Sequence, residues 1–181
     1  MRGLVFTEFL DFVEATAGAE MVETMIDASD LASGGAYTSV GIYDHDEILK
    51  MLEFLHNATG NEVQAMVHAF GANLFGRLVE AHPGIVEDDV GFLDFLAGIE
   101  THIHSEVRKL YPDAELPVFD VEHSPPAGLA LTYQSTRPFA DLAHGMLEGA
   151  AKHFGKSITL ARQDIATKDG YCARFEIGLA A

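Results

Sequence analysis

Leu129-Ala-Leu-Thr-Tyr-Gln-Ser-Thr-Arg-Pro138 is the stretch of this sequence that decides its fold class. Its large apolar residues, Leu129, Leu131 and Tyr133, recur at every second position, which is typical of a β-strand. Upstream of this stretch the apolar residues recur instead at spacings of three and four, as in amphipathic helices. The chain therefore changes from helix to strand here, which predicts an α+β fold.

The part of the chain before this strand is predicted to be helical. Five helices are separated by Gly18, by a Ser-, Gly- and Asp-rich loop over 28–45, by Thr59-Gly60 and by His82-Pro83-Gly84. Asp46 begins the third helix, and Asn61 is the expected N-cap of the fourth. The fifth covers roughly 88–111 and ends before Pro112.

Downstream of the strand, Pro138 suits the first turn of a helix that Gly155 ends. Two further strands are expected over 157–166 and 171–179. We expect the order of elements to be helices first and then roughly β-β-α-β-β. We expect one domain over 1–181, with an N-terminal helical lobe (about 1–65) packed on a C-terminal lobe (about 66–181) of helices and a small antiparallel sheet.

The composition excludes several classes of protein. There are 28 acidic and 11 basic residues, so the net charge of -17 disfavours nucleic acid and anionic membrane surfaces as partners. No uncharged apolar run approaches the roughly 18 residues that a membrane span needs. Glu8 and Asp11 follow the first residues too closely for a signal peptide, so we expect a cytoplasmic protein. A single cysteine, Cys172, rules out an internal disulfide framework.

The fifth helix carries a histidine on its apolar side. On a regular helix His104 projects within about 20° of Leu93, whereas His102 points about 160° away from His104. His104 is therefore expected to face inward and His102 to be solvated. Such an inward histidine is either a buried neutral residue bonded to a backbone carbonyl or an axial ligand to heme iron. Its spacing alone leaves both interpretations open.

Tyr133, Ser135 and Arg137 place three donor side chains at alternate positions, on one face of an extended strand. A phenol, a hydroxyl and a guanidinium in a row suit one or two carboxylates, with a bidentate contact from the arginine. Pro138 biases Arg137 away from helix and is expected to prolong the extended run through it. The alternative is an edge strand with a polar outer face.

Taken together, the two features resemble the heme nitric oxide/oxygen-binding (H-NOX) family. The motif Tyr133-x-Ser135-x-Arg137 follows a helical histidine by about 30 residues, as in that family. The resemblance covers the whole chain, through the opening Met1-Arg2-Gly3, the segment from His104 to Tyr111 that runs on to Leu116-Pro117, and the segment 145–154.

This resemblance implies a ferrous heme b (iron protoporphyrin IX) between the N-terminal, distal lobe and the C-terminal, proximal lobe. His104 would be the proximal iron ligand, and Tyr133, Ser135 and Arg137 would clamp the heme propionates. The residues expected to line the heme are Val5, Leu78, Pro117, Leu142 and Met146, with Pro117 distorting the porphyrin. Gly71 and Gly145 fall at glycines that either act as pivots or allow close helix packing.

The resemblance also bears on the gas that is bound. Family members that bind O₂ stably carry a distal tyrosine, and counting five residues past Arg137 gives Leu142 instead. We therefore expect NO rather than O₂, although Tyr37 and Tyr43 in the distal half are possible donors. An O₂- or CO-binding sensor of the same family is the alternative.

Some bacterial relatives hold a structural zinc with several cysteines and a histidine. Only Cys172 remains here, with Arg162 and Ile165 near where further ligands would be expected. We therefore expect no zinc site.

The implied function is that of a stand-alone gas sensor and not an enzyme. NO binding would weaken or rupture the iron bond of His104 and move the distal lobe. A separate histidine kinase or cyclic-di-GMP enzyme would receive the signal. Two rivals remain: a metal-dependent enzyme using some of the nine histidines, and a heme-free module that binds an acidic or lipid-like small molecule. The first lacks a His-Glu-x-x-His motif and has only His144 and Glu148 as a notable helical pair.

Overall fold

A computed structural model describes residues 1–87, 89–124 and 128–180. Within these ranges the helices come first and are followed by the order β-β-α-β-β, as the sequence predicts. The strands form one antiparallel sheet, which confirms the α+β fold class. Two compact units are distinguished, Met1–Phe70 and Gly71–Ala181. No helix within the described ranges is long and apolar enough to cross a membrane.

The first unit consists of helices joined by one long loop. The helices are α1 (Gly3–Ala17), α2 (Ala19–Ala28), α3 (Asp46–Thr59) and the start of α4 (Val63–Ala81). Its core contains the fully buried Phe6, Phe9, Met25, Met51 and Leu52. The loop before α3 is tied down by Glu47, which is only 5% exposed and accepts hydrogen bonds from Ser33 Oγ (2.5 Å) and Tyr37 Oη (2.7 Å). A buried carboxylate with two donors thus orders a segment that has little regular structure.

Helix boundaries in this unit follow the sequence signals with one exception. Gly18 (φ +89°) ends α1 and Gly60 (φ +75°) ends α3, because glycine adopts positive φ without strain. The predicted N-cap Asn61 is wrong, since α4 begins at Val63. The Met66 amide donates to the Glu62 carbonyl, so the chain enters the helix one residue later than expected.

The second unit begins within α4 and continues through the remaining elements. They are a 3₁₀ turn (Pro83–Ile85), α5 (Phe92–Ala97), a π-helical turn (Ile99–Ile103), α6 (His104–Leu110), β1 (Val118–Ser124), β2 (Gly128–Ser135), α7 (Ala140–His153), β3 (Ile158–Ile165) and β4 (Tyr171–Leu179). The sheet order is β1-β2-β4-β3. Its buried face carries Leu131, Tyr133 and Phe175, which pack in one core with α5 and α7.

The single helix expected over 88–111 is interrupted. Asp88 lies outside the described residues, and regular helix begins only at Phe92. Gly98 separates α5 from the π-turn, and its carbonyl accepts from both His102 (2.8 Å) and Ile103 (3.4 Å). The Ile103 bond spans five residues, so the regular 100° step does not hold here and the predicted alignment of His104 with Leu93 does not apply.

The extended run through Arg137 was also predicted incorrectly. Strand β2 ends at Ser135, and α7 begins at Ala140 rather than at Pro138. Ser135 Oγ accepts the Arg137 amide at 3.0 Å, and the Arg137 carbonyl accepts the Phe139 amide at 2.9 Å. These two local hydrogen bonds turn the chain at Arg137 instead of extending it.

Helices α4 and α7 approach closely where small residues face each other. A Cβ atom on Gly71 would lie 2.3 Å from the carbonyl oxygen of Leu142, and one on Gly149 would lie 2.7 Å from that of Ala72. Real side chains do not reach backbone at such distances, so one helix would have to move. The geometry at Gly71 thus supports close helix packing, one of its two proposed roles.

We expect Gly71→Ala to lower the free energy of unfolding by about 1–3 kcal/mol because the added methyl overpacks this contact. Gly76, on the same helix, provides a matched control, since a Cβ there meets open space. Gly76→Ala should raise the free energy of unfolding by up to about 1 kcal/mol through helix propensity. Chemical denaturation of both variants measures the difference, and equal effects would contradict the packing interpretation.

Candidate functional site

His104 lies at the first position of α6, immediately after the π-turn. Its side chain is 12% exposed, and its ring centroid lies 5.8 Å from that of Phe119 on β1. Nδ1 lies 2.9 Å from Oε2 of Glu100. His102 is exposed and interacts with Thr101. The inward histidine is therefore bonded to a carboxylate, and not to a backbone carbonyl as one interpretation of the sequence expected.

The protonation of this pair follows from its surroundings. Burial lowers the pKa of His104 below its ordinary value, and the hydrogen bond to Glu100 offsets only part of that effect. Burial also opposes ionisation of Glu100, but hydrogen bonds from Arg108, His104 and the Phe119 amide outweigh it and lower that pKa. Near neutral pH the pair is thus a neutral imidazole and a carboxylate, with Nδ1–H donating.

This tautomer leaves the lone pair of His104 on Nε2. Among the described residues, Nε2 has no hydrogen-bond partner. A neutral imidazole with Nδ1–H bonded to a carboxylate and Nε2 available is the form in which histidine ligates metals. His104 therefore has the donor chemistry that an iron ligand requires.

Tyr133, Ser135 and Arg137 are brought together at the end of β2. Tyr133 is 2% exposed, and its hydroxyl lies 3.5 Å from the Arg137 carbonyl oxygen. Burial raises the pKa of the Tyr133 phenol, while a hydrogen bond with Ser135 and the charge of Arg137 lower it by less. The phenol therefore remains protonated and is able to donate.

The Arg137 guanidinium lies beside Tyr133 and Ser135, and the Arg137 side chain is 13% exposed. Nη1 donates to the Glu115 carbonyl oxygen at 3.0 Å, and Nη2 contacts the Glu115 carboxylate. Glu115 itself is exposed, so the guanidinium lies near a boundary with solvent. The three side chains form a donor array with one formal charge, which suits carboxylates.

An aromatic contact connects the histidine to the donor array. Phe119 lies 5.8 Å from the His104 ring and 5.6 Å from the Tyr133 ring, centroid to centroid. Strand β1 is antiparallel to β2 with Phe119 opposite Tyr133. The histidine and the donor array therefore occupy the same region of the second unit.

Sequence reasoning missed three residues of this region: Glu100, Glu115 and Phe119. Glu100 had a detectable signal, because it precedes His104 by four residues, the spacing of interacting helical side chains. Phe119 and Glu115 had none, since their roles depend on the register of β1 and on the fold of the loop before it.

The apolar residues expected to line a heme are all half-buried. Leu78 lies on α4, Pro117 precedes β1, and Leu142 and Met146 lie on α7, where Met146 packs against the core of the second unit. Val5 lies on α1 in the first unit. Each thus keeps part of its side chain accessible for contact with a ligand.

Tyr37 and Tyr43, the possible distal donors, have partners within the first unit. The Tyr37 hydroxyl donates to Glu47 at 2.7 Å, and its ring stacks on Phe6 at 4.6 Å. The Tyr43 hydroxyl accepts the Thr38 amide at 2.9 Å. The Tyr37 proton is thus engaged by Glu47, whereas the Tyr43 hydroxyl acts as an acceptor toward the Thr38 amide and lies 3.5 Å from Thr38 Oγ1.

The remaining residues that the sequence singled out lie elsewhere in the second unit. Arg162 forms ion pairs with Asp141 (2.5 Å) and Asp164 (2.8 Å). Cys172 lies opposite Ile165 in the sheet register. His144 and Glu148 lie 3.6 Å apart on α7.

Comparisons with known proteins show what the whole chain is similar to. Residues 2–162 match the family model described as Haem-NO-binding. The structure of an Fe(II) unliganded H-NOX protein from K. algicida is 36% identical with a TM-score of 0.92, covering 100% of this chain and 97% of that chain. Curated protein sequences gave no match.

Two further structures are similar over nearly the whole chain. An H-NOX from Shewanella woodyi in the Fe(II)CO ligation state, with IWP-051 bound, is 38% identical with a TM-score of 0.84, covering 99% of this chain and 95% of that chain. An H-NOX protein from S. oneidensis in the Fe(II)NO ligation state is 28% identical with a TM-score of 0.90, covering 100% of both chains.

Proposed function

We infer the function of this chain from its family: it belongs to the haem-NO-binding family, the H-NOX heme-binding gas sensor domains. We propose that it senses NO at a ferrous heme b, with His104 as the proximal ligand. The observation that carries this proposal is the position of the largely buried His104, whose Nδ1 lies 2.9 Å from a Glu100 carboxylate oxygen. The Phe119 ring lies between its ring and that of Tyr133, at the start of the donor array.

The residues of the second unit fit a heme by their donor chemistry. When bound, the heme supplies the ferrous iron at which a gas binds. His104 would hold the iron through Nε2, and Arg137, Ser135 and Tyr133 would hold the propionates by donating hydrogen bonds. The half-buried apolar residues of this unit would contact the porphyrin: Leu78, Pro117, Leu142 and Met146.

We further propose that NO is favoured over O₂. Bound O₂ gains stability from a hydrogen-bond donor, whereas NO binds ferrous iron tightly without one. Leu142 is apolar, and the Tyr37 hydroxyl donates to Glu47. The Tyr43 hydroxyl accepts the Thr38 amide and lies 3.5 Å from Thr38 Oγ1. The apolar Leu142 and the engaged Tyr37 support a preference for NO.

The purified, reduced protein is expected to show a heme Soret band that changes on addition of NO. Exposure of the same sample to air should give no stable oxygen complex, because the apolar Leu142 cannot donate a hydrogen bond to bound O₂. Absorption spectroscopy under anaerobic conditions and then in air makes both comparisons. A long-lived oxygenated spectrum would contradict the preference for NO, and protein without any heme absorption would favour a heme-free binding module.

The proposed output is a weakened or broken bond to His104, followed by movement of the N-terminal helices and a response in a separate effector. A histidine kinase or a cyclic-di-GMP enzyme is the proposed effector, as the family resemblance implies. The unit Met1–Phe70 contains twelve acidic residues and only two basic ones. This charge would suit an effector surface that is basic.

A further inference from the structure

We propose that Glu100 is a positioning residue that fixes the His104 ring and sets how strongly its Nε2 donates to iron, with Arg108 moderating the effect. This inference rests on the proposed heme ligation. It assigns a role to a residue in the π-turn that ligation itself does not require.

The Glu100 carboxylate is held by donors from three directions. Oε2 accepts from His104 Nδ1 at 2.9 Å and from the Phe119 amide at 3.4 Å, while Oε1 accepts from Arg108 Nη2 at 2.6 Å. These donors lie at the start of α6, on β1 and near the end of α6. The carboxylate therefore has few orientations open to it, and it constrains the imidazole in turn.

The chemical consequence follows from the charge of the acceptor. A carboxylate that accepts Nδ1–H shifts electron density toward Nε2, raises its basicity and fixes the ring orientation. Arg108 donates a hydrogen bond to the same carboxylate, and its positive charge weakens the effect of that carboxylate on His104. Glu100 and Arg108 should thus move the strength of the iron–histidine bond in opposite directions.

This opposition distinguishes positioning from a purely structural role. If Glu100 only tied α6 to β1, removing Glu100 or Arg108 would loosen the region in the same way. Under our inference Glu100→Gln weakens the iron–histidine bond, because a neutral amide oxygen replaces the carboxylate. Arg108→Gln strengthens it, because the carboxylate is left to His104 and the Phe119 amide.

The test uses resonance Raman spectroscopy of the ferrous, NO-free holoprotein. We expect the iron–histidine stretching frequency to fall in Glu100→Gln, to fall further in Glu100→Ala and to rise in Arg108→Gln. Heme dissociation from Glu100→Ala should be about tenfold faster than from the unmodified protein. Glu106→Gln is the matched control, since Glu106 is an exposed residue of α6 paired with Lys109 at 2.6 Å, and it should change neither quantity.

The outcomes separate this inference from the proposed function. If the unmodified protein shows an iron–histidine band, and none of the Glu100 and Arg108 variants shifts it, only the positioning role of Glu100 is overturned. Shifts of the same sign in Glu100→Gln and Arg108→Gln would also overturn it, in favour of a structural role. An unmodified protein without such a band would overturn the proposed ligation and this inference with it.

Discussion

Replacing His104 with alanine is expected to abolish the five-coordinate ferrous heme spectrum, either because the heme is lost or because its iron has no protein ligand. The substitution removes Nε2, the nitrogen that the Glu100 hydrogen bond leaves available. It also leaves a gap of about the volume of an imidazole next to Phe119. The ratio of heme to protein after purification and the absorption spectrum of the reduced protein measure the effect.

His102→Ala is the control for this experiment. His102 is exposed two residues away and interacts with Thr101 at 2.9 Å, so its loss should leave heme content and spectrum nearly unchanged. Added imidazole should restore the five-coordinate spectrum of His104→Ala by occupying the gap, which shows that the variant is folded. Retention of heme with the original spectrum in His104→Ala would contradict the ligand assignment.

The change from helix to sheet was predictable because it depends on local periodicity. Leu129, Leu131 and Tyr133 alternate, and the structure buries all three on one face of β2. Gly18 and Gly60 end their helices because positive φ is a local requirement of the backbone. Such features depend on a few adjacent residues, so they can be predicted from the sequence.

The interruption near His104 was not predictable, because it depends on non-local contacts. Gly98 permits a break, but a glycine within an apolar helical pattern is also compatible with a continuous helix. The π-turn places Glu100 against both His104 and the Phe119 amide, and that amide belongs to a strand nineteen residues further on. The inward position of His104 was expected from regular helical geometry, yet His104 directly follows a turn in which that geometry does not apply.

The motif at the end of β2 was predicted from its residue types, but its geometry was not. A strict strand would carry Tyr133, Ser135 and Arg137 along one face, whereas the chain turns at Arg137. Ser135 is thus both a possible donor to a ligand and the residue whose Oγ accepts the Arg137 amide. A serine two residues before an arginine does not reveal this second role by spacing alone, because it depends on the local hydrogen bonds of the turn.

Arg137→Ala is expected to increase the rate of heme dissociation by about 10- to 100-fold, since a hydrogen bond to a charged group contributes about 1.5–3 kcal/mol. Its guanidinium is the only formal charge of the donor array, and it is largely shielded from solvent, so its attraction to a propionate is weakly screened. Arg137→Lys keeps the charge but loses the bidentate geometry, so its rate of heme dissociation should lie between those of the unmodified protein and Arg137→Ala. Transfer of heme to an excess of apomyoglobin measures the rate.

Two further variants make the test specific to the clamp. Arg174→Ala removes a cation from β4 that pairs with Glu122 at 2.9 Å and Glu176 at 3.6 Å, and it should leave the dissociation rate unchanged. Glu115→Gln removes the carboxylate that competes for the Arg137 guanidinium, so heme dissociation should become slower. A dissociation rate that is unchanged in Arg137→Ala would contradict the clamp, and faster dissociation in Glu115→Gln would mean that Glu115 orients the guanidinium rather than competing for it.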